Sequence, residues 1–321
     1  MARRLMPAAA KHPVPATPPG EVFRIDESIV LSAAMVSHLA AESNIRVLLI
    51  KGPAATLVGA RPVRPSLDLD ILLQRSDLKV LLQALEQRGW ETRIPEVSEA
   101  FPDHSTTLIN PGWPSDIDVH WRFPGFYEDE SVVFEHLWSA KQSVELGGRP
   151  VWTLSRNDAL LVTLLHALRS PAKGVLHDDV SFCLREIKQS PQLHYDRALE
   201  LGAIGPLGSL FATLPETQSF DLGEPPFDWV LRTTAQRSAT LRLFHLLEIP
   251  WSQKPAALWQ ALVPSRDSIS WHDLELRNVS QWQQAPFRLR RLWRSVTEGV
   301  QTLREVREIR ARIRKSTDTS A

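Results

Sequence analysis

Between residues 26 and 43 the apolar side chains Ile29, Val30, Ala33, Val36, Leu39 and Ala40 recur at helical spacing, with Asp26 placed to cap the first turn. The apolar run of residues 47 to 50, set between Arg46 and Lys51-Gly52-Pro53, reads as a short buried strand. Pro53 suits the first turn of a following helix, where its missing N–H costs nothing. Residues 67 to 74 predict a second strand, followed by a helix capped by Ser76, lined by Leu78, Leu81, Leu82 and Leu85 and closed by Gly89. Residues 90 to 94 and 104 to 109 read as further strands. From Asp116 the alternation is clear: Ile117, Val119 and Trp121 point one way and Asp116, Asp118 and His120 the other. Residues 141 to 146 and 149 to 154 pair as a hairpin across Gly147-Gly148.

After residue 154 the strand pattern stops. Ser155 caps a helix with Leu160, Leu161, Leu164, Leu165 and Leu168 inside, and helical patterns continue over 178 to 189, 193 to 203, 229 to 249 and 287 to 315. The stretch 204 to 228, rich in Gly, Pro and Thr, reads as a linker within the helical part. Strands first and helices afterwards predict an α+β fold, with an α+β domain over 21 to 154, a helical domain over 155 to 315 and tails at 1 to 20 and 316 to 321. The first twenty residues carry prolines at 7, 13, 15, 18 and 19, so they read as a flexible tail and hold no apolar run of signal-peptide length.

Composition narrows the partners. Hydrophobic residues make up 43% and charged residues 23% of the 321, the balance of a folded soluble chain. Lys plus Arg and Asp plus Glu both total 37, so no overall field draws the protein to nucleic acid or an acidic membrane, and any polyanion site is local. No apolar run reaches the roughly 20 residues of a membrane helix. The single cysteine, Cys183, rules out an intramolecular disulfide and makes a cytoplasmic location the default expectation. Residues 288 to 315 carry nine arginines and one lysine against three glutamates, with Leu289, Leu292, Val296, Val300 and Leu303 as the apolar stripe of a long basic helix, which reads as packing one face on the protein ahead of a contact with nucleic acid or an acidic partner. Of the 11 tryptophans, Trp229, Trp251, Trp259, Trp271, Trp282 and Trp293 fall in the helical half, as core filling or as the lining of an acceptor pocket.

The candidate chemistry lies in carboxylates. Asp68 and Asp70, two residues apart on a strand, share a face roughly 7 Å apart at the backbone. Side chains so placed can converge on two divalent cations about 4 Å apart, which clamp the attacking and leaving oxygens of a phosphoryl displacement. Asp-x-Asp is common at solvated strand ends, but the flanking Leu67, Leu69 and Ile71 place this pair in an apolar strand, where a charge needs compensation. The strand carrying Asp116, Asp118 and His120 offers a third carboxylate from another element, and the strand, Gly turn and helix at 47 to 57 can present N–H groups to phosphates. Two rival readings are weaker. His166, His177, Asp178 and Asp179 have the composition of a helical metal-phosphohydrolase site, yet His177-Asp178-Asp179 more simply opens a helix at its positive end. The Asp-x-Asp of sugar-nucleotide glycosyltransferases follows a longer nucleotide-binding half than the one strand and two helices found here.

Lys51-Gly52-Pro53-Ala54-Ala55, then Arg64-Pro65-Ser66-Leu67-Asp68-Leu69-Asp70-Ile71-Leu72, then His104, then Ile117-Asp118-Val119-His120-Trp121, with Leu154, Asp158 and His166 after them, resemble the uncharacterised nucleotidyltransferase family of the DNA polymerase β-like superfamily. The resemblance covers roughly residues 45 to 180. It implies an α+β nucleotidyltransferase domain with a short mixed sheet and a mainly helical C-terminal domain, and transfer of an NMP from an NTP to a hydroxyl or phosphate acceptor with release of pyrophosphate. By the same resemblance Asp68, Asp70 and Asp118 would be the catalytic and metal-holding residues, for Mg2+ or Mn2+. Lys51, Gly52, Arg64, Ser66 and His120 would bind the nucleotide. The acceptor would be a small molecule, a peptide or protein, or an RNA end, and Asp116 competes with Asp118 for the third position. One departure stands out: the superfamily places Gly-Ser after the first strand, and Pro53 replaces that serine and its hydroxyl. The alternative is a catalytically weak nucleotide-sensing or partner-binding module on the same scaffold.

Overall fold

The computed structural model describes residues 24–93, 104–169, 177–235, 238–252, 254–255, 293, 297 and 299–311. The expected tails at 1 to 20 and 316 to 321 lie outside these residues, as do Trp259, Trp271 and Trp282.

Seven short strands make one mixed sheet: β1 (Val47–Leu49), β2 (Asp68–Leu73), β3 (Glu91–Thr92), β4 (Ser105–Ile109), β5 (Asp116–His120), β6 (Gln142–Leu146) and β7 (Arg149–Thr153), in the order β3-β4-β5-β2-β1-β7-β6. β2 runs antiparallel to β1 and parallel to β5, β4 is antiparallel to β5, and β1 is parallel to β7. The expected hairpin across Gly147-Gly148 is β6 and β7.

Helix α1 (Ile25–Glu42) begins two residues earlier than a cap at Asp26 implies. Arg24, not Asp26, is its N-cap. The backbone N–H of Arg24 donates to Glu27, and its guanidinium holds Asp26 inside the first turn. Pro53 lies in the first turn of α2 (Gly52–Leu57). Ser76 does not cap α3 (Leu78–Glu86), because its hydroxyl turns to Asp77 within a 3-10 turn, Arg75–Asp77, that precedes the helix. A helix the periodicity did not signal, α4 (Glu130–Ser139), follows β5, capped by Asp129, whose carboxylate accepts the Ser131 N–H at 2.9 Å.

The helical part begins as expected at α5 (Arg156–Leu168), where the Ser155 hydroxyl accepts the Asp158 N–H. There follow α6 (Asp178–Ile187), α7 (Pro191–Glu200), α8 (Ile204–Phe211), α9 (Phe227–Thr234), α10 (Ser238–Glu248) and a helical stretch over 299–311. The stretch 204 to 228 is therefore not a linker. Ile204, Leu207, Leu210 and Phe211 are buried core, and Gly208 is small because a Cβ there would stand 2.8 Å from the Leu222 carbonyl oxygen. Glycine and proline in this stretch serve close packing of a helix on the chain that returns over it.

Strand alternation sorts the core into two layers. Leu69, Ile71 and Leu73 point to one face of the sheet, where α1 and α3 cover them with Ile29, Val36, Leu39, Leu81 and Leu85. Leu72, with Leu48 and Ile50, points to the other face and joins Leu160, Leu161, Leu164 and Leu165 of α5 and the apolar side chains of α6 to α8. Asp68 and Asp70 share the phase of Leu72, so they lie on the α5 face. Trp229 fills this second layer, whereas Trp251 and Trp293 are exposed. In 299–311 the buried positions are Thr302, Val306 and Ile309, the last two packed with Leu231 and Phe244, while Val300 and Leu303 of the expected stripe face solvent. No helix among the described residues is long and apolar enough to cross a membrane.

Candidate active site

The parallel register of β2 and β5 sets Asp70 directly beside Asp118, with Asp68 beside Asp116 two residues earlier. Neighbouring strands lie about 4.8 Å apart, so two carboxylates paired on one face need a counter-charge wherever water is excluded. Around Asp70 that charge is built in. Lys51 Nζ donates to Asp70 Oδ1 at 2.5 Å, and His120 Nε2 lies 3.1 Å from Asp70 Oδ1 and 3.1 Å from Asp118 Oδ2. Thr107 of β4 donates its hydroxyl to Asp118 Oδ1 at 3.1 Å. His120 reaches both carboxylates because it follows Asp118 by two residues on the same strand face.

Burial works against ionisation of Asp70 and Asp118, but the hydrogen bonds and charge of His120, with Lys51 behind them, outweigh it and hold both carboxyls below the usual range. Burial likewise opposes charge on His120, and the two carboxylates override it and raise its pKa. Asp68 stands differently. It is exposed at the strand start, and partial desolvation together with the charge of Asp70 raises its pKa. Asp116 is spoken for by Arg93, 2.6 Å away.

Beside this pair opens a cleft of about 360 Å³ lined by Lys51, Gly52, Arg61, Arg64, Ser66 and Asp68 on one wall and by Thr163, His166, His177 and Asp179 of the helical part on the other. Gly52, at φ +65°, makes the turn from β1 into α2. A side chain there would be strained and would crowd the Ser66 hydroxyl, 3.3 Å from an added Cβ. Arg64 pairs with the buried Asp179. Arg61, which the motif reading passed over, is almost fully buried and organises the loop: it donates to Thr56 Oγ1 at 3.1 Å, the Arg64 carbonyl at 2.7 Å and Ser66 Oγ at 3.2 Å. The signal for it was the spacing Arg61-Pro62-Val63-Arg64-Pro65, two cations each followed by a proline just before the carboxylate strand.

His166 Nδ1 lies 3.5 Å from Lys51 Nζ and 3.0 Å from Arg169 Nη2. Burial and these cations push its pKa down to about 3, so at neutral pH it is uncharged and accepts their N–H groups. The ring of His104 stands 5.9 Å from that of His120, and burial with the surrounding cations lowers it to about 3 as well. His177 caps α6, its Nδ1 accepting the Asp179 N–H at 3.1 Å, which accounts for the His177-Asp178-Asp179 run without a metal.

Among the described residues, three His, Cys, Asp or Glu side chains bring their ligand atoms within 4.8 Å of one another at one place, Asp70, Asp118 and His120. Two carboxylates and an imidazole, balanced in the protein by a lysine and by the imidazole's proton, fit a divalent cation that would replace those charges. The expected set was Asp68, Asp70 and Asp118; Asp68 stands on the cleft wall beside this cluster instead of inside it.

Residues 26–178 match the family described as uncharacterised nucleotidyltransferase. Among solved structures, the chain is similar to an antigenic nucleotidyltransferase-like protein from Paracoccidioides brasiliensis at 16% identity, over 60% of this chain and 91% of that one, with a TM-score of 0.36. It is similar to the antibiotic-resistance factor ANT(2'')-Ia in solution at 14% identity, over 59% and 97%, with a TM-score of 0.40. A tRNA nucleotidyltransferase complexed with a primer tRNA and an incoming ATP analog is similar at 13% identity, over 89% and 99%, with a TM-score of 0.26. No curated protein matches the chain at a significant level.

Proposed function

With residues 26–178 belonging to the uncharacterised nucleotidyltransferase family, we propose that this protein is a metal-dependent nucleotidyltransferase that moves an NMP from an NTP to a hydroxyl or phosphate acceptor and releases pyrophosphate. The observation that carries the reading is the register that pairs Asp70 with Asp118 at the mouth of a cleft walled by Lys51, Arg61 and Arg64. A divalent cation, Mg2+ or Mn2+, would be held by Asp70 and Asp118, with Asp68 and His120 at its margins, and would neutralise the charge of the reacting phosphates.

The remaining chemistry falls to the chain. Lys51, released from Asp70, offers a point charge to the triphosphate, and Arg64, fixed by Asp179, offers a guanidinium fork. Arg61 holds the loop that carries Arg64 and Ser66, and Ser66, beside Gly52, supplies the hydroxyl that Pro53 removed from the turn. An oxygen of the acceptor forms the bond to the α-phosphorus as the bond to the bridging oxygen breaks in line, and that electron pair leaves with pyrophosphate. For a hydroxyl acceptor, the proton passes to Asp118 and then to solvent. His120 keeps Asp70 and Asp118 oriented.

Calorimetry with Mg-ATP and a non-hydrolysable analogue separates binding from turnover. Incubation with α-labelled and γ-labelled NTPs, cell extract and small-molecule pools then locates the transferred group. The expected result is α-label on an acceptor and γ-label in pyrophosphate. A purified protein that binds no Mg-NTP would overturn the reading.

A further inference from the structure

The two walls of the cleft differ in what they offer a ligand. On the first, Lys51, Arg61 and Arg64 beside the Gly52 turn carry positive charge and donate hydrogen bonds. The second comes from the helical part: Thr163 and His166, three residues apart on one face of α5, and His177 and Asp179 at the start of α6. Asp179 is the carboxylate of that wall. Its side chain keeps 1% of its exposure, and its Oδ2 accepts from Arg64 Nη2. Its Oδ1 is buried and has no hydrogen-bond partner among the described residues. His177 Nδ1 lies 3.7 Å from Asp179 Oδ2, but it accepts the Asp179 backbone N–H and so has no proton to give the carboxylate.

A buried carboxylate oxygen without a donor is costly, and native proteins keep few of them. Inside a cleft that cost falls when a ligand brings the donor. Charge decides which part of a nucleotide does so. At neutral pH the phosphates are anionic and offer acceptor oxygens, so a carboxylate turns them toward Lys51, Arg61 and the Gly52 turn. The ribose hydroxyls are neutral donors. Arg64 sets the separation between the two parts: it is 38% exposed and meets Asp179 through Nη2, which leaves the rest of its fork for a phosphate. A carboxylate one guanidinium away from the phosphates meets the sugar bonded to them. As Arg64 turns about that one contact to grip the triphosphate, Oδ1 opens to the cleft.

We propose, resting on the nucleotidyl-transfer reading, that Asp179 is the sugar-selecting residue of this cleft: its Oδ1 accepts a hydroxyl of the ribose, so that the NTP used is a ribonucleotide. A ribose satisfies this oxygen, whereas the matching deoxy sugar leaves it unpaired, and an unpaired buried group discriminates more strongly than a lost apolar contact. Because the same carboxylate holds Arg64, recognition of the sugar is tied to the grip on the phosphates.

The test uses the full chain with Mg2+ and analogues of ATP, 2'-deoxy-ATP, 3'-deoxy-ATP and UTP in which a methylene replaces the α,β-bridging oxygen. Calorimetry then reads binding without transfer. Wild type is expected to bind the ATP analogue at least about tenfold tighter than one of the two deoxy analogues, and that one identifies the hydroxyl. In Asp179→Ala this ratio should fall to within about threefold of unity. Asp179→Asn, which keeps the side chain's size should the alanine variant not fold, should lower it at least about threefold. Arg64→Met should weaken all four analogues alike and keep the sugar preference. A wild type indifferent to both deoxy sugars, an unchanged ratio in either folded Asp179 variant, or a loss that appears in the ATP-to-UTP ratio instead, overturns the proposal. Failure of all four analogues to bind would remove the nucleotidyl-transfer reading with it, whereas binding without sugar preference removes this proposal alone.

Discussion

Asp68 faces Asp116 across β2 and β5, and two residues on Asp70 faces Asp118 in the same parallel register and on the same side of the sheet. Asp68 is exposed and Asp116 answers to the surface cation Arg93, with both side chains of that ion pair 35% accessible. Asp70 retains 4% of its exposure and shares one oxygen between Lys51 and His120. The ladder geometry is identical, so the difference comes from what lies above it. Water reaches the start of the two strands, whereas α5 brings His166 and Arg169 over their later part. The same carboxylate pair is thus a solvated surface feature at one rung and, with water excluded, a poised charge cluster at the next.

The comparison breaks first at Asp70. Asp70→Asn is expected to lower pyrophosphate release from Mg-NTP by at least about 10³-fold, equivalent to about 4 kcal/mol, with the circular dichroism spectrum unchanged. Activity within tenfold of wild type would mean that the buried rung is only structural. Asp68→Asn should fall between the rungs, at about 10- to 100-fold, because it touches the cleft without joining the cluster. Steady-state turnover across a magnesium titration would separate a loss of metal affinity from a loss of rate.

The buried rung also carries a pH signature through its neighbours. His104 and His166 are lowered from 6.5 to about 3 on folding. Their contribution to stability is therefore complete above pH 6.5 and is lost as pH falls toward 3. At pH 5 this amounts to about 1–2 kcal/mol for each. His120 has the opposite sign, since its pKa is raised, so the difference between variants is the clean measure. Urea melts at pH 7 and pH 5 should show a smaller acid destabilisation in His166→Gln than in wild type, and equal slopes would contradict the neutral, buried assignment. The smallest effect belongs to the exposed rung. Asp116→Asn is expected to change turnover by no more than about twofold and stability by less than about 1 kcal/mol, the range of a surface ion pair.

Much of this was legible in the residues. The alternation of Asp68 to Leu73 and of Asp116 to His120 determines that carboxylates share strand faces, Pro53 after Lys51-Gly52 marks the turn into α2, and Ser155 marks where strands give way to helices. These are local properties with periods of two or 3.6 residues, and a chain displays them without knowing its neighbours. Helix α4 was not legible, because only Val133, Phe134 and Leu137 of its ten residues are buried, too short a stripe to stand out. Nor was the linker expected over 204 to 228 correct, since glycines that look like flexibility serve the contact of α8 with residue 222.

What only the tertiary structure decided was which carboxylates meet. Register across β2 and β5 set Asp118 beside Asp70, Arg93 drew Asp116 away, and the packing of α5 placed Arg169 and a neutral His166 over the buried rung. Arg61 became the loop's organiser because it is buried against Thr56 and Ser66, and Asp179 became the anchor of Arg64. Charge and burial act through space on groups up to 115 residues apart in the chain, as Lys51 and His166 are. The sequence determined the chemistry available on each strand face, and long-range packing, by excluding water from one rung and not the other, decided where that chemistry is concentrated.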